Sequence, residues 1–181
     1  DKGSFSPESL RGELSFNDVN FAYNPDSPVL NSINFTVEPG QTIALVGKSG
    51  SGKSSLVGLI PRFYNPTSGT ISLDGTNLAE YQLEFLRTRI SLVSQQVVLF
   101  NGSIAENIAY GEDPAEIDMA KVREAAVSAH ALEFIEEMPQ GFDTQVGDDA
   151  KLLSGGQRQR IAIARALLKD TNDDPNGGFV D

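Results

Sequence analysis

The sequence has no cysteine and no tryptophan, and only one histidine, among its 181 residues. Without thiols, disulfides, thiolate metal sites and cysteine nucleophiles are excluded. The lone His130 excludes a multi-histidine metal site. No apolar run approaches the roughly 18–20 residues that a membrane-spanning helix needs. Basic residues are scarce as well: 14 Lys and Arg stand against 25 Asp and Glu, a formal net charge of −11. That balance counts against non-specific nucleic-acid binding, which requires a basic surface. What is present, 39% hydrophobic and 22% charged residues, is the composition of a globular chain with a length suited to one domain. Asp1 stands where an initiator methionine would, and no basic, apolar leader comes after it. The sequence is therefore expected to be a segment of a longer chain, not one cut at a signal peptide.

Hydropathy along the chain gives an α/β pattern. Residues 1–12 are polar with Gly, Ser and Pro, and read as a linker. Leu14, Phe16, Val19, Phe21 and Tyr23 recur at mostly alternate positions and predict a half-buried strand; a second spans Val29 to Val37 beyond a turn cluster at 24–28. Thr42–Val46 and Ile90–Val93 are short, nearly continuous apolar runs, as expected of strands buried on both faces of a parallel sheet. Thr70–Asp74 predicts another strand, and Ser54–Ile60 and Tyr81–Arg89 predict helices. From Ser103 to Met138 the apolar spacing turns helical, with Ile104, Ile108, Val122, Ala126, Ala129, Leu132 and Ile135. This mostly α insert interrupts the α/β pattern. A last helix is expected from Gly155 to Lys169. Thr171–Gly178 has no apolar residue and cannot be a core strand.

Two loops carry chemistry. Gly47, Lys48, Ser49, Gly50, Ser51, Gly52, Lys53 and Ser54 fit G-x-x-x-x-G-K-[ST] at every position, between an expected strand and an expected helix. Glycines permit a tight loop whose backbone N–H groups converge on phosphate oxygens. Lys53 supplies a point charge for the β- and γ-phosphates, and the Ser54 hydroxyl a Mg²⁺ ligand. Leu153, Ser154, Gly155, Gly156 and Gln157 open the last helix with a second set of aligned N–H donors.

With both loops in one chain, the sequence resembles the nucleotide-binding domain of ATP-binding cassette (ABC) proteins, over roughly residues 13–170. The resemblance implies an α/β P-loop NTPase (ABC ATPase) fold with an antiparallel β subdomain and a mostly α-helical insert at about 103–150, incomplete at the C-terminus. It implies that 1–12 link to a membrane domain and that 171–181 are an atypical polar tail. ATP would be held by Tyr23, matching the aromatic that stacks on adenine, by Gly47 through Ser55 in the P-loop, and by Gln95 in the Q-loop. Ser154, Gly155, Gly156 and Gln157 would close on the nucleotide of a partner subunit. Mg²⁺ would be ligated by Ser54 and Gln95, whereas Gln96 reads as a solvated loop residue. The implied partners are a second nucleotide-binding domain in a two-fold dimer and the transmembrane domain of the same polypeptide, with no nucleic acid.

LFNGSIAENIAYG, LIPRFYNPTSG and GFDTQVGDD narrow the resemblance to bacterial exporters, most similar to the lipid A flippase subfamily of lipid and multidrug exporters. Such a domain works at the cytoplasmic face of the inner membrane. Thr144–Asp148 look like the exporter X-loop. The family usually continues that loop with a basic or amide residue and then glycine, whereas this chain has Asp149 and Ala150. A larger departure comes later. Where the family places the two carboxylates of its Walker B strand, this chain has Gly177 and Gly178, and His130 in the insert reads as a surface or packing residue, not the family's switch histidine. No catalytic residue is therefore assigned. The alternative is a non-catalytic nucleotide-binding fragment arising from a frameshift or faulty gene model. A soluble ABC ATPase acting on nucleic acid is opposed by the acidic balance.

Overall fold

A computed structural model describes residues 3–94, 96–147 and 153–173, with side chains described as far as Lys169. These residues form two compact units, one ending at Ile90 and one beginning at Ser91.

The first unit is built on a four-stranded antiparallel sheet. Strands β1 (Leu14–Asn24) and β2 (Ser27–Val37) form a hairpin, β3 (Ser68–Leu73) pairs with the other edge of β1, and the two-residue β4 (Thr76–Asn77) completes the order β2-β1-β3-β4. The register of β1 shifts on both sides of Val19, and the amide side chains there absorb the irregularity. Asn34 Oδ1 accepts from the Asp18 N–H and Asn20 Oδ1 from the Ser32 N–H, each at 2.8 Å, and Asp18 and Ser32 both adopt positive φ. Phe16, Val19, Phe21, Leu30 and Ile71 are thereby directed into one core. Helix α1 (Lys53–Leu59) contributes Leu56 and Leu59 to it, a 3₁₀ turn contributes Leu78, and α2 (Leu83–Thr88) contributes Leu86.

The N-terminal segment is tied down at two points. Phe5 N–H donates to Glu80 O and Phe5 O accepts from Gln82 N–H, both at 2.9 Å. Farther on, the Asp74 carboxylate accepts from the N–H groups of Arg11, Gly12 and Glu13. Burial would raise the Asp74 pKa, but those donors and the Arg11 charge outweigh it and hold the carboxyl below its ordinary range.

The second unit is helical. Helix α3 (Ile104–Ile108) begins with a capping box, in which Ser103 Oγ accepts from Glu106 N–H and Glu106 Oε2 from Ser103 N–H. Helix α4 (Met119–Ser128) is capped by Asp118, and α5 (Leu132–Glu136) comes after a turn in which exposed His130 takes a positive φ. Helix α6 (Gly155–Asp173) packs Ile161, Ala164 and Leu168 against the cluster that contains Ile104, Ile108, Val122, Ala126 and Ile135. A buried Asn107 ties the unit together. Its side-chain amide bonds both backbone groups of Phe100, and Arg165 Nε donates to Asn107 O at 2.7 Å. Strands β5 (Gly102–Ser103) and β6 (Gln145–Val146) form a short antiparallel pair, which holds the described part of the expected X-loop.

Three expectations are corrected. Thr42–Val46 forms no strand: residues 41–50 are exposed throughout, and Val46 is 91% exposed. Ile90–Val93 forms none either, and Leu92 and Val93 lie exposed. A strand buried on both faces needs a hydrogen-bonded neighbour and a layer above and below. Among the described residues neither segment is a strand of either sheet. The last helix runs on to Asp173, four residues past its expected end, so the first residues of the polar tail are helical. Helix-forming backbone bonds continue through Asp, Thr and Asn without an apolar face. Asp148–Ala150 and residues 174–181, Gly177 and Gly178 among them, lie outside the described residues. No helix among the described residues is long and apolar enough to cross a membrane.

Candidate functional site

The loop from Gly47 to Gly52 turns back on itself before α1. Gly50 and Gly52 take φ of +79° and +87°, the left-handed region in which an L side chain is strained. Gly52 has a second constraint. A Cβ there would lie 2.8 Å from Leu30 Cδ2 and 3.2 Å from Val29 O, so the backbone approaches β2 closer than any side chain allows. The next residue, Lys53, opens α1 and sends its ammonium back into the loop. Lys53 Nζ donates to Gly47 O at 3.0 Å, to Lys48 O at 2.8 Å and to Ser51 Oγ at 3.3 Å. A cation thus sits at the centre of a glycine-rich turn, held by weak neutral acceptors that an anion can displace. Residues 47–51 and Ser54 are exposed, and nothing lies within 4 Å of a Cβ position at Gly50, which leaves the backbone open to a ligand.

Tyr23, at the end of β1, meets the helix that follows this loop. Its hydroxyl is 3.0 Å from Ser55 Oγ, either oxygen being able to donate, while 54% of the residue stays exposed. Tyr23 is therefore a surface aromatic at the P-loop helix and not a core residue. Sequence reasoning missed its companions. Phe21 stands edge to face with Tyr23 at 4.8 Å, and Tyr64 does so at 5.1 Å with the rings at 90°. Tyr64 arrives there because Arg62, at φ +55°, reverses the chain after α1, a turn closed by Arg62 N–H to Leu59 O and Phe63 N–H to Gly58 O, both 3.1 Å. The signal was the pair Phe63-Tyr64, two aromatics directly after a helix stop at Pro61.

The signature residues lie in the second unit. Ser154 Oγ accepts from Gln157 N–H at 3.2 Å and Gln157 Oε1 from Ser154 N–H at 2.8 Å, a reciprocal cap on α6. Ser154 keeps its hydroxyl proton as a donor. A Cβ at Gly156 would meet nothing within 4 Å, and Gly155 and Gly156 are exposed, so their backbone faces solvent. Gln95 lies outside the described residues. The residues thus fall into two groups, Tyr23 with Gly47–Ser55 in the first unit and Ser154–Gln157 in the second.

The donor set fits a nucleoside triphosphate: backbone N–H groups, an ammonium and hydroxyls for phosphates, and an exposed aromatic for a base. For Mg²⁺ the fit is partial. Among the described residues no group of three or more His, Asp or Glu can hold a metal ion. Ser54 offers one hydroxyl, so phosphate oxygens and water would complete an octahedral shell.

The chain is similar to known proteins over most of its length. The ABC transporter family model matches residues 30–172. A protein of Alkalilimnicola ehrlichii named ATP-dependent lipid A-core flippase is 58% identical over 174 residues, covering 94% of this chain and 29% of that protein. One of the same name from Pseudomonas aeruginosa is 54% identical over 171 residues, with 94% and 28% covered. Among solved structures, a bacterial Atm1-family ABC exporter with ATP bound superposes with a TM-score of 0.82 at 44% identity, over 88% of this chain and 28% of that one. The chain thus spans about 29% of the length of the relatives it matches. The α/β P-loop NTPase fold, with an antiparallel sheet and helices, is borne out as part of a longer protein.

Proposed function

We propose that this chain, which belongs to the ABC transporter family, is the ATP-binding part of a bacterial exporter that moves a lipid A-like lipid or another hydrophobic compound. The observation that carries nucleotide binding is the caged ammonium: Lys53 Nζ lies within 3.3 Å of three loop oxygens, next to the Tyr23–Ser55 contact. On binding, the triphosphate replaces Gly47 O, Lys48 O and Ser51 Oγ as the partner of Lys53, and the loop N–H groups donate to its oxygens. Tyr23 offers its ring to adenine. Ser54, with Gln95, would hold Mg²⁺, which neutralises phosphate charge when bound.

The names of the relatives support the lipid cargo, and a domain of this family works with a second copy and with a transmembrane domain of the same polypeptide. In that assembly Ser154–Gln157 close on the partner's nucleotide, at the cytoplasmic face of the inner membrane. The 181-residue chain itself binds nucleotide without turning it over, because Gly177 and Gly178 occupy the positions of the carboxylates that orient water and metal. Equilibrium titration with ATP and with adenosine tests the phosphate role. Lys53→Ala weakens ATP by roughly 10–100-fold, since charge-assisted hydrogen bonds are lost, and leaves adenosine unchanged. Equal losses for both ligands would overturn it.

A further inference from the structure

A half-exposed tyrosine at the end of a strand is a poor stacking platform unless something fixes its angle, because ordering the ring on binding costs affinity. Tyr23 is fixed from three directions. Ser55 of α1 holds its hydroxyl, Phe21 of the same strand meets it at 4.8 Å, and Tyr64 meets it at 5.1 Å from the segment after α1. The Tyr64 ring also touches Phe21, at 5.6 Å between centroids. It lies over the helix beside Gly58, whose Cβ position is 3.6 Å from Tyr64 Cδ2. Phe21 is buried, 4% exposed, and its place is explained by the core, whereas Tyr64 keeps 45% of its surface in solvent. Its ring spans from α1, the helix that opens with Lys53, to the Tyr23 ring.

We infer that Tyr64 is a positioning residue for base recognition: it braces the Tyr23 ring against the P-loop helix, so that the base platform and the phosphate cradle are set relative to each other before nucleotide arrives. The inference rests on the reading of Tyr23 as the adenine-stacking residue. It requires the ring of Tyr64 and not its hydroxyl.

The test uses the full chain, with ATP and inorganic tripolyphosphate as the two probes. Tyr64→Ala, and Tyr64→Leu, which keeps apolar bulk beside Gly58, weaken ATP by roughly 3–10-fold and leave tripolyphosphate unchanged. Tyr64→Phe retains the affinity for both. In a Tyr23→Ala background, Tyr64→Ala has no further effect, because the side chain it positions is gone. Loss of tripolyphosphate along with ATP in both Tyr64→Ala and Tyr64→Leu would overturn the proposal, since Tyr64 would then support the P-loop helix as a whole. A further loss of ATP in the Tyr23→Ala background would also overturn it and would put Tyr64 itself on the base. If Tyr23→Ala discriminates against ATP while the Tyr64 variants bind normally, the bracing role fails and the stacking role stands. If Tyr23→Ala leaves the ratio of the two probes unchanged, the stacking reading falls, and the inference with it.

Discussion

The β1–β2 hairpin and the segment Thr42–Val46 are both apolar stretches of the first unit, and they end in opposite states. Phe16, Val19 and Phe21 are at most 4% exposed; all three pair with β2, and Phe16 also pairs with Ile71 of β3. Ile43, Leu45 and Val46 are 42%, 37% and 91% exposed and belong to no strand among the described residues. A hairpin carries its own partner two residues away, so a local pattern suffices to build it. A parallel strand needs neighbours that are distant in sequence, and its apolar residues are buried only when those neighbours are in place. The P-loop stands just after Thr42–Val46. Its shape is set from the other side, by Gly52 against Val29 and Leu30 and by Lys53 at the head of α1.

Truncating each region separates them most sharply. Phe16→Ala removes a fully buried ring stacked on Phe35 and costs about 3–5 kcal/mol in urea-induced unfolding. Leu45→Ala changes stability by no more than about 0.5 kcal/mol, as exposed positions do. A comparable cost at both sites would mean that Thr42–Val46 is buried against a partner in solution.

The glycines of the loop give the next contrast. Gly52→Ala meets both a left-handed φ and the Leu30 side chain, and costs about 2–4 kcal/mol. Gly50→Ala meets only the φ, with open space around its Cβ position, and costs about 1–2 kcal/mol. Denaturation midpoints of the two variants check the order; the reverse order would show that β2 does not fix the loop.

The smallest effect lies at the N-terminal edge of the hairpin. The Asp74 pKa is depressed in the folded chain, so the stability it contributes is present above its unfolded value and is lost as pH falls through the folded one. That window lies below about pH 4. Asp74→Ala removes about 0.5–1.5 kcal/mol at neutral pH, an exposed-site figure that salt lowers further, and flattens the pH dependence in this window. An unchanged acid limb in the variant would exclude the role.

The parts of this molecule legible in its sequence are those whose cause is local. The alternation of Leu14 to Tyr23 and the spacing of Gly47 to Ser54 each specify a structure within a dozen residues. Tyr23 is legible only through resemblance to a family, since alternation alone places it as a core aromatic. The Ser154–Gln157 cap is present in the sequence as an S-x-x-Q pattern, although the glycines between suggest only an anion loop. Beyond the aromatic pair Phe63-Tyr64, the placing of Tyr64 is not legible, and neither is that of Asn107, because their contacts depend on the positive φ of Arg62 and on Arg165 reaching back from α6. The state of Thr42–Val46 escapes sequence reasoning for the same reason: its burial is a property of neighbours, not of its own residues.

Backbone amide exchange across residues 47–55, with and without nucleotide, tests the phosphate cradle most directly. The account predicts that ATP slows exchange of the N–H groups from Gly50 to Ser55, that adenosine does not, and that in Lys53→Ala the same protection needs roughly 10–100-fold more ATP. Equal protection by adenosine and ATP, or protection by ATP that leaves residues 50–55 unchanged, would contradict it.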